Sequence, residues 1–213
     1  MHSQLQTIFL ARHAQSELNA SKRISGQLDP DLTAKGAERA LTLANVLRLQ
    51  QLEAIYTSKL RRTIETARPI SDLAGVPITT SGALNEIHMG VLQGRMRDGS
   101  DPEALALWRE WQAQKGSARI PYGESFSDLE ARVIPCVAEI VQRPRENPAL
   151  IIGHRSTNRV ILGFLMRWAR ERYIAIKVRS KYLYQVVLAP VPWIATIRLD
   201  EGREGKRYES FRD

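Results

Sequence analysis

One cysteine, Cys136, stands in the whole chain, which excludes an internal disulfide and fits a reducing compartment. The lone thiol reads as a small buried apolar residue. Long apolar runs are missing too. None approaches the roughly 18 residues of a membrane span, and the amino terminus lacks the charged and then apolar order of a secretory leader. Both shortages lead to the expectation of a cytoplasmic protein with no membrane partner. There is no internal repeat, low-complexity tract or Gly/Ser linker, so residues 1–213 read as a single domain. The net charge is +8 and the isoelectric point about 9.9, yet the basic residues form no run of five and no aromatic-interleaved stripe. That excludes a nucleic-acid reader and favours small anionic partners.

What is present suffices for a real core, with 43% hydrophobic and 25% charged residues. Short β-prone runs fall near residues 7–11, 53–57, 76–80, 149–153, 182–189 and 193–199. Helical patterns lie between several of them. Thr33 reads as an N-cap ahead of the stripe Ala37, Ala40, Leu41, Ala44 and Leu47. A second helix is predicted from Ser58 to about Leu73, and a third opens at Asp101-Pro102. Ser125 with Asp128 forms a capping box for a helix to about Arg143, bent at Pro135. Another helix follows His154 to about Arg170. Alternating strands and helices predict an α/β three-layer sandwich, with a mainly parallel central sheet, helices on both faces and an antiparallel edge strand after the Pro190-Val191-Pro192 turn. Residues 201–213 read as a flexible tail.

Two apolar runs end abruptly in an imidazole: Thr7-Ile8-Phe9-Leu10-Ala11 leads through Arg12 to His13, and Ala149-Leu150-Ile151-Ile152-Gly153 leads to His154. A buried strand delivers catalytic groups to its carboxyl end in this way, and open α/β sheets bind ligands there. Arg12, Asn19, Arg62 and Glu86 join the two histidines as candidates. Trp108 and Trp111, three apart on one helix face, read as core packing. His2 and His88 carry no function in this reading. No carboxylate or cysteine stands at a ligand spacing from His13 and His154, so neither a metal nor a cofactor is expected.

Arg12-His13-Ala14-Gln15-Ser16-Glu17-Leu18-Asn19, then Arg23-Ile24-Ser25-Gly26, resembles the opening of the histidine phosphatase superfamily, which includes phosphoglycerate mutases and acid-type phosphatases. The resemblance continues through Ser58-Lys59-Leu60-Arg61-Arg62-Thr63, Leu84-Asn85-Glu86-Ile87-His88-Met89-Gly90, Gly123-Glu124-Ser125 and Gly153-His154. Five motifs in order are far more specific than any one of them.

The resemblance implies that His13 is a nucleophile that takes the phosphoryl group, that Arg12, Arg62 and Asn19 bind it, and that a protonated His154 neutralises its oxygens. The start of the helix after Ser58 would add its positive end. Glu86 would be the general acid and then the general base. Arg23, Ser25 and Gly26 complete the substrate-binding set with Arg155, which replaces a glycine common after the second histidine. Ala14 also stands where glycine is usual, and Gln93 where glutamate is frequent.

The implied activity is that of a phosphatase acting on a small phosphomonoester, metal-independent, with Arg23, Arg97 or Arg155 free to meet a second anion. A homodimer fits the same reading. Residues 95–122 would cap the substrate and carry specificity. This segment is shorter than in the family's mutases and has no adjacent arginine pair, which favours hydrolysis. The alternatives are a cofactor-dependent phosphoglycerate mutase and a catalytically silent phospholigand-binding protein.

Overall fold

The computed structural model describes residues 6–114, 116–201 and 205–213; His2 lies outside them. In chain order the elements are β1 (Gln6–Arg12), α1 (Glu17–Ala20), α2 (Ala34–Leu47), β2 (Ala54–Ser58), α3 (Arg61–Ala74), β3 (Ile78–Ser81), α4 (Pro102–Ala113), α5 (Phe126–Gln142), β4 (Ala149–Gly153), α6 (Arg155–Met166), α7 (Arg170–Ala175), β5 (Tyr182–Leu188), β6 (Trp193–Arg198) and β7 (Lys206–Tyr208). The sheet order is β3-β2-β4-β1-β5-β6-β7. The first four strands run parallel, and β5, β6 and β7 add on antiparallel. Among the described residues no helix is long and apolar enough to cross a membrane.

The uniformly apolar strands make sense once both sheet faces are covered. Ile8, Leu10, Ala149, Ile151, Tyr184 and Val186 face one core layer, with residues of α5, α6 and α7. Phe9, Ala11, Leu150, Ile152 and Leu183 face the other, with α2 and α3. Successive residues alternate between layers, as the two-residue period of a strand requires.

The caps follow from local chemistry. Thr33 accepts from the N–H of Gly36, Asp101 from that of Ala104, and Ser125 exchanges bonds with Asp128. Three boundaries differ from the sequence reading. α3 begins at Arg61, because Ser58 is still the last residue of β2; its hydroxyl accepts from the N–H of Leu60. α6 stops at Met166, where Arg167 turns left-handed with φ 53°. There α7 folds back, and the Tyr173 ring sits where a Cβ on Gly163 would be, 2.2 Å away. Part of the expected flexible tail is ordered: Lys206–Tyr208 pairs with β6, and Phe211 stacks on Tyr184 at 5.4 Å.

Candidate active site

Parallel pairing of β1 with β4 puts Arg12 opposite Gly153, and the N–H of His13 donates to the Gly153 carbonyl at 2.9 Å. The next residue on each strand is a histidine, so the register alone brings the two imidazoles together, with ring centroids 5.1 Å apart. The chain then leaves β1 toward α2 in one core layer and leaves β4 into α6 in the other. The strands part at this switch point and open a crevice at their carboxyl ends.

That crevice is an open cleft. Arg12, His13, Asn19, Arg23, Ser25, Gly26, Arg62, Glu86 and Arg155 all line it, and His154 packs against His13 from the sheet. Every site residue predicted from sequence therefore converges on one place. The first N–H of α3 is taken by Asp29 at 2.6 Å, so that helix does not offer it to a ligand. The start of α6 instead holds Glu86, whose carboxylate accepts from the backbone N–H groups of Ser156 at 3.1 Å and Thr157 at 3.3 Å.

The histidines are sealed in, with His13 4% and His154 0% exposed. Burial, then the charge of Arg12 and Arg62, pushes His13 well below the usual imidazole range. Burial, then Arg62, does the same to His154. Burial and the neighbouring guanidiniums thus favour the neutral form of both imidazoles. His13 Nδ1 lies 2.7 Å from the Ala14 carbonyl. A carbonyl can only accept, so Nδ1 carries the proton and Nε2 keeps its lone pair. His154 Nε2 lies 2.8 Å from Ser58 Oγ, and its Nδ1 has no protein partner.

Arg12 is lowered to about 10, first by burial. Arg62, 1% exposed, donates to the carbonyls of Leu28 at 2.6 Å and Gly26 at 2.8 Å. It thus both carries charge and ties down the 26–28 loop. Asn19 completes a capping box on Ser16, and its amide reaches Ser25 Oγ at 3.4 Å.

Several supports escaped the sequence reading. Gln93, which it left without a role, accepts from the N–H of Gln27 at 2.7 Å and packs over Gly26, whose φ is +49° and whose place a Cβ could not share. Glu124 and Arg132 form a paired ion bridge, and Arg132 also donates to the carbonyls of Ala83, Asn85 and Glu86, fixing the loop that carries Glu86. Ala14 sits buried outside the left-handed region, so it needs no glycine freedom. His88 accepts from the N–H of Gly90, a turn contact. Arg97, Arg159, Trp108 and Trp111 line the cleft as well. Trp111, 3% exposed, packs into the core and forms cleft wall at once.

The family model described as the histidine phosphatase superfamily, branch 1, matches residues 8–194. A relative from Yersinia enterocolitica named "Probable phosphoglycerate mutase GpmB" is 33% identical over 191 residues, covering 89% of this chain and 88% of that one. A mycobacterial glucosyl-3-phosphoglycerate phosphatase structure is 27% identical with a TM-score of 0.76, covering 85% and 92%. An alpha-ribazole phosphatase structure from Shigella flexneri, 23% identical with a TM-score of 0.76 over 85% and 90%, shares the fold.

Proposed function

The chain belongs to the histidine phosphatase superfamily, branch 1, and on that premise we propose that it hydrolyses a small phosphomonoester through a phosphohistidine on His13. The observation that carries this reading is a neutral His13 whose Nδ1–H is committed to Ala14, which leaves the Nε2 lone pair as nucleophile. Nε2 attacks phosphorus, the ester oxygen departs, and Glu86 gives it a proton. Water then attacks the phosphohistidine, Glu86 takes the water's proton, and phosphate leaves with His13 restored.

Arg12, Arg62 and Asn19 support the phosphoryl oxygens, and the arriving dianion raises the proton affinity of His154. Arg97, Trp108, Trp111 and Gln112 reach the cleft from residues 95–122, which supports a substrate-capping role for that segment. Both core layers share one sheet, in keeping with a single domain. The steps draw on protein side chains alone.

The mutase name borne by relatives motivates a second reading. A mutase must hold its intermediate while it reorients, yet Arg95 is bound to Asp101 and Glu103, and Arg119 to Asp128. Of the arginines in 95–122, only Arg97 lines the cleft. That favours release of the alcohol over return of the phosphoryl group.

Rapid-quench trapping with a radiolabelled phosphomonoester tests the proposal. An acid-labile phosphoprotein should form in the native chain and vanish in His13→Ala, and Glu86→Gln should lose about 10²–10⁴-fold in turnover. Labelled product without a phosphoprotein would refute the intermediate. Bisphosphoglycerate-dependent isomerisation faster than hydrolysis would select the mutase.

A further inference from the structure

The cleft carries far more positive charge than one phosphoryl group needs. Six arginines, Arg12, Arg23, Arg62, Arg97, Arg155 and Arg159, line it against the single carboxylate of Glu86. A phosphomonoester dianion and that carboxylate still leave an excess of three positive charges. Bare guanidinium groups close together in a half-buried cleft are costly, and a ligand that neutralises them recovers the cost.

The arginines divide into two sets. Arg12 and Arg62 are the guanidiniums that act on His13, and both act on His154 as well. Arg97, Arg155 and Arg159 act on one another: Arg155 is lowered first by burial and then by Arg97, and Arg159 first by burial and then by Arg155, while Arg155 and Arg97 also reach Arg12. Glu86 is felt by members of both sets. A leaving group whose oxygen meets Glu86 would therefore extend from the first set toward the second.

The sequence left Arg23, Arg97 and Arg155 equal as partners for another anion, and the fold separates them. Arg23 spends one nitrogen on the Gly94 carbonyl at 2.7 Å. Arg97 and Arg155 make no hydrogen bond or ion pair among the described residues and face the cleft. Arg155 and Arg159 stand one turn apart on α6 and share a helix face. Arg159 is 3% exposed and is aimed by the bond from its Nε to the Ile176 carbonyl at 2.7 Å. Trp108 and Trp111 supply an apolar wall to the same cleft.

We infer that Arg97, Arg155 and Arg159 form a second anion subsite, and that the substrate is a small phosphomonoester whose leaving group bears a carboxylate or a second phosphate. This rests on the phosphatase reading for the identity of the first anion. The acidic group gives two kinds of charge-assisted contact, bidentate at a guanidinium fork and electrostatic from the set as a whole.

Three probes test it: glycerol 3-phosphate with an uncharged leaving group, 3-phosphoglycerate with a carboxylate, and 1,3-propanediol bisphosphate with a phosphate. Calorimetric titration into the His13→Ala protein measures binding without turnover, and kcat/KM on the native protein measures use. At least one acidic probe should exceed glycerol 3-phosphate about tenfold or more in both, and which one does identifies the second anion. Arg155→Gln and Arg97→Gln should collapse that ratio about tenfold, mainly through KM, while Arg155→Lys restores part of it. Equal affinity for all three probes, or a ratio unmoved by Arg155→Gln in a protein of unchanged melting temperature, overturns the subsite. Selective binding without hydrolysis of any probe would keep the subsite and refute the phosphatase.

Discussion

His154 poses the sharpest question at the scale of single residues, because its burial among cations keeps it neutral where a donor to phosphate is wanted. Ser58 offers the answer. Its hydroxyl lies 2.8 Å from His154 Nε2 and 2.8 Å from Thr63 Oγ1. Thr63 Oγ1 gives its one proton to the Leu60 carbonyl at 2.8 Å, so Ser58 donates to Thr63 and accepts from His154 Nε2–H. Nδ1 then keeps a lone pair with no protein partner, the place where an arriving phosphoryl dianion can draw a proton onto the ring. In Ser58→Ala that tautomer loses its lock. Nitrogen-15 spectra should show Nε2 protonated in the native protein and the proton shared between the two ring nitrogens in the variant, with kcat about tenfold lower. Identical ring shifts in both proteins would dismiss the relay.

Among the elements, the Gly123-Glu124-Ser125 motif shows what a pattern conceals. It suggests a contribution to the site, yet Glu124 serves as strut to Arg132, and Ser125 with Asp128 starts α5. Bonds from the Ser125 hydroxyl and N–H, with Arg119, hold the Asp128 carboxyl down at about 2 against an ordinary 3.8. A lowered carboxyl contributes stability that is complete above its unfolded value and is lost as pH falls through the folded one. The melting-temperature gap between the native chain and Asp128→Asn should therefore be constant above about pH 5 and shrink below about pH 4; a gap that ignores pH would contradict this.

Gly153 is a second joint of this kind. A Cβ there would lie 2.2 Å from Asn158 Oδ1, and Asn158 also ties α6 to the Ala11 carbonyl at 2.9 Å. Gly153→Ala should cost about 1–3 kcal/mol in urea unfolding and lower kcat/KM, since the crowded side chain fixes the histidine-bearing ends of β1 and β4. Unchanged values of both would show that Asn158 moves freely. The caps at Thr33, Asp101 and Ser125 were readable in sequence because their bonds span three residues. The stop of α6 was not, because Arg167 turns left-handed there with no glycine or proline to announce it.

Over the whole molecule, a net charge of +8 should draw anionic substrates toward the arginine-lined cleft. Between about 0.01 M and 0.1 M salt the screening length falls from roughly 30 Å to roughly 10 Å. kcat/KM for an anionic ester should drop several-fold over that range, mostly through KM. A rate indifferent to salt would mean that the field outside the cleft does nothing.

The sequence by itself determined the strands, the caps and the abrupt histidine at the end of two buried runs, because each is written within a few neighbouring residues. It also supplied the two histidines, Arg12, Asn19, Arg62, Glu86 and Arg155, through motifs whose order along the chain is plain, but not Arg159 or the tryptophan wall of the cleft. Only the tertiary structure decided which arginines are spent and which are free. Arg95 and Arg119 found carboxylates while Arg97 and Arg155 did not, and the last residues gained a strand by meeting β6. A long guanidinium arm pairs with whatever the fold brings near, and that follows from β1 lying beside β4, a contact between residues more than a hundred positions apart.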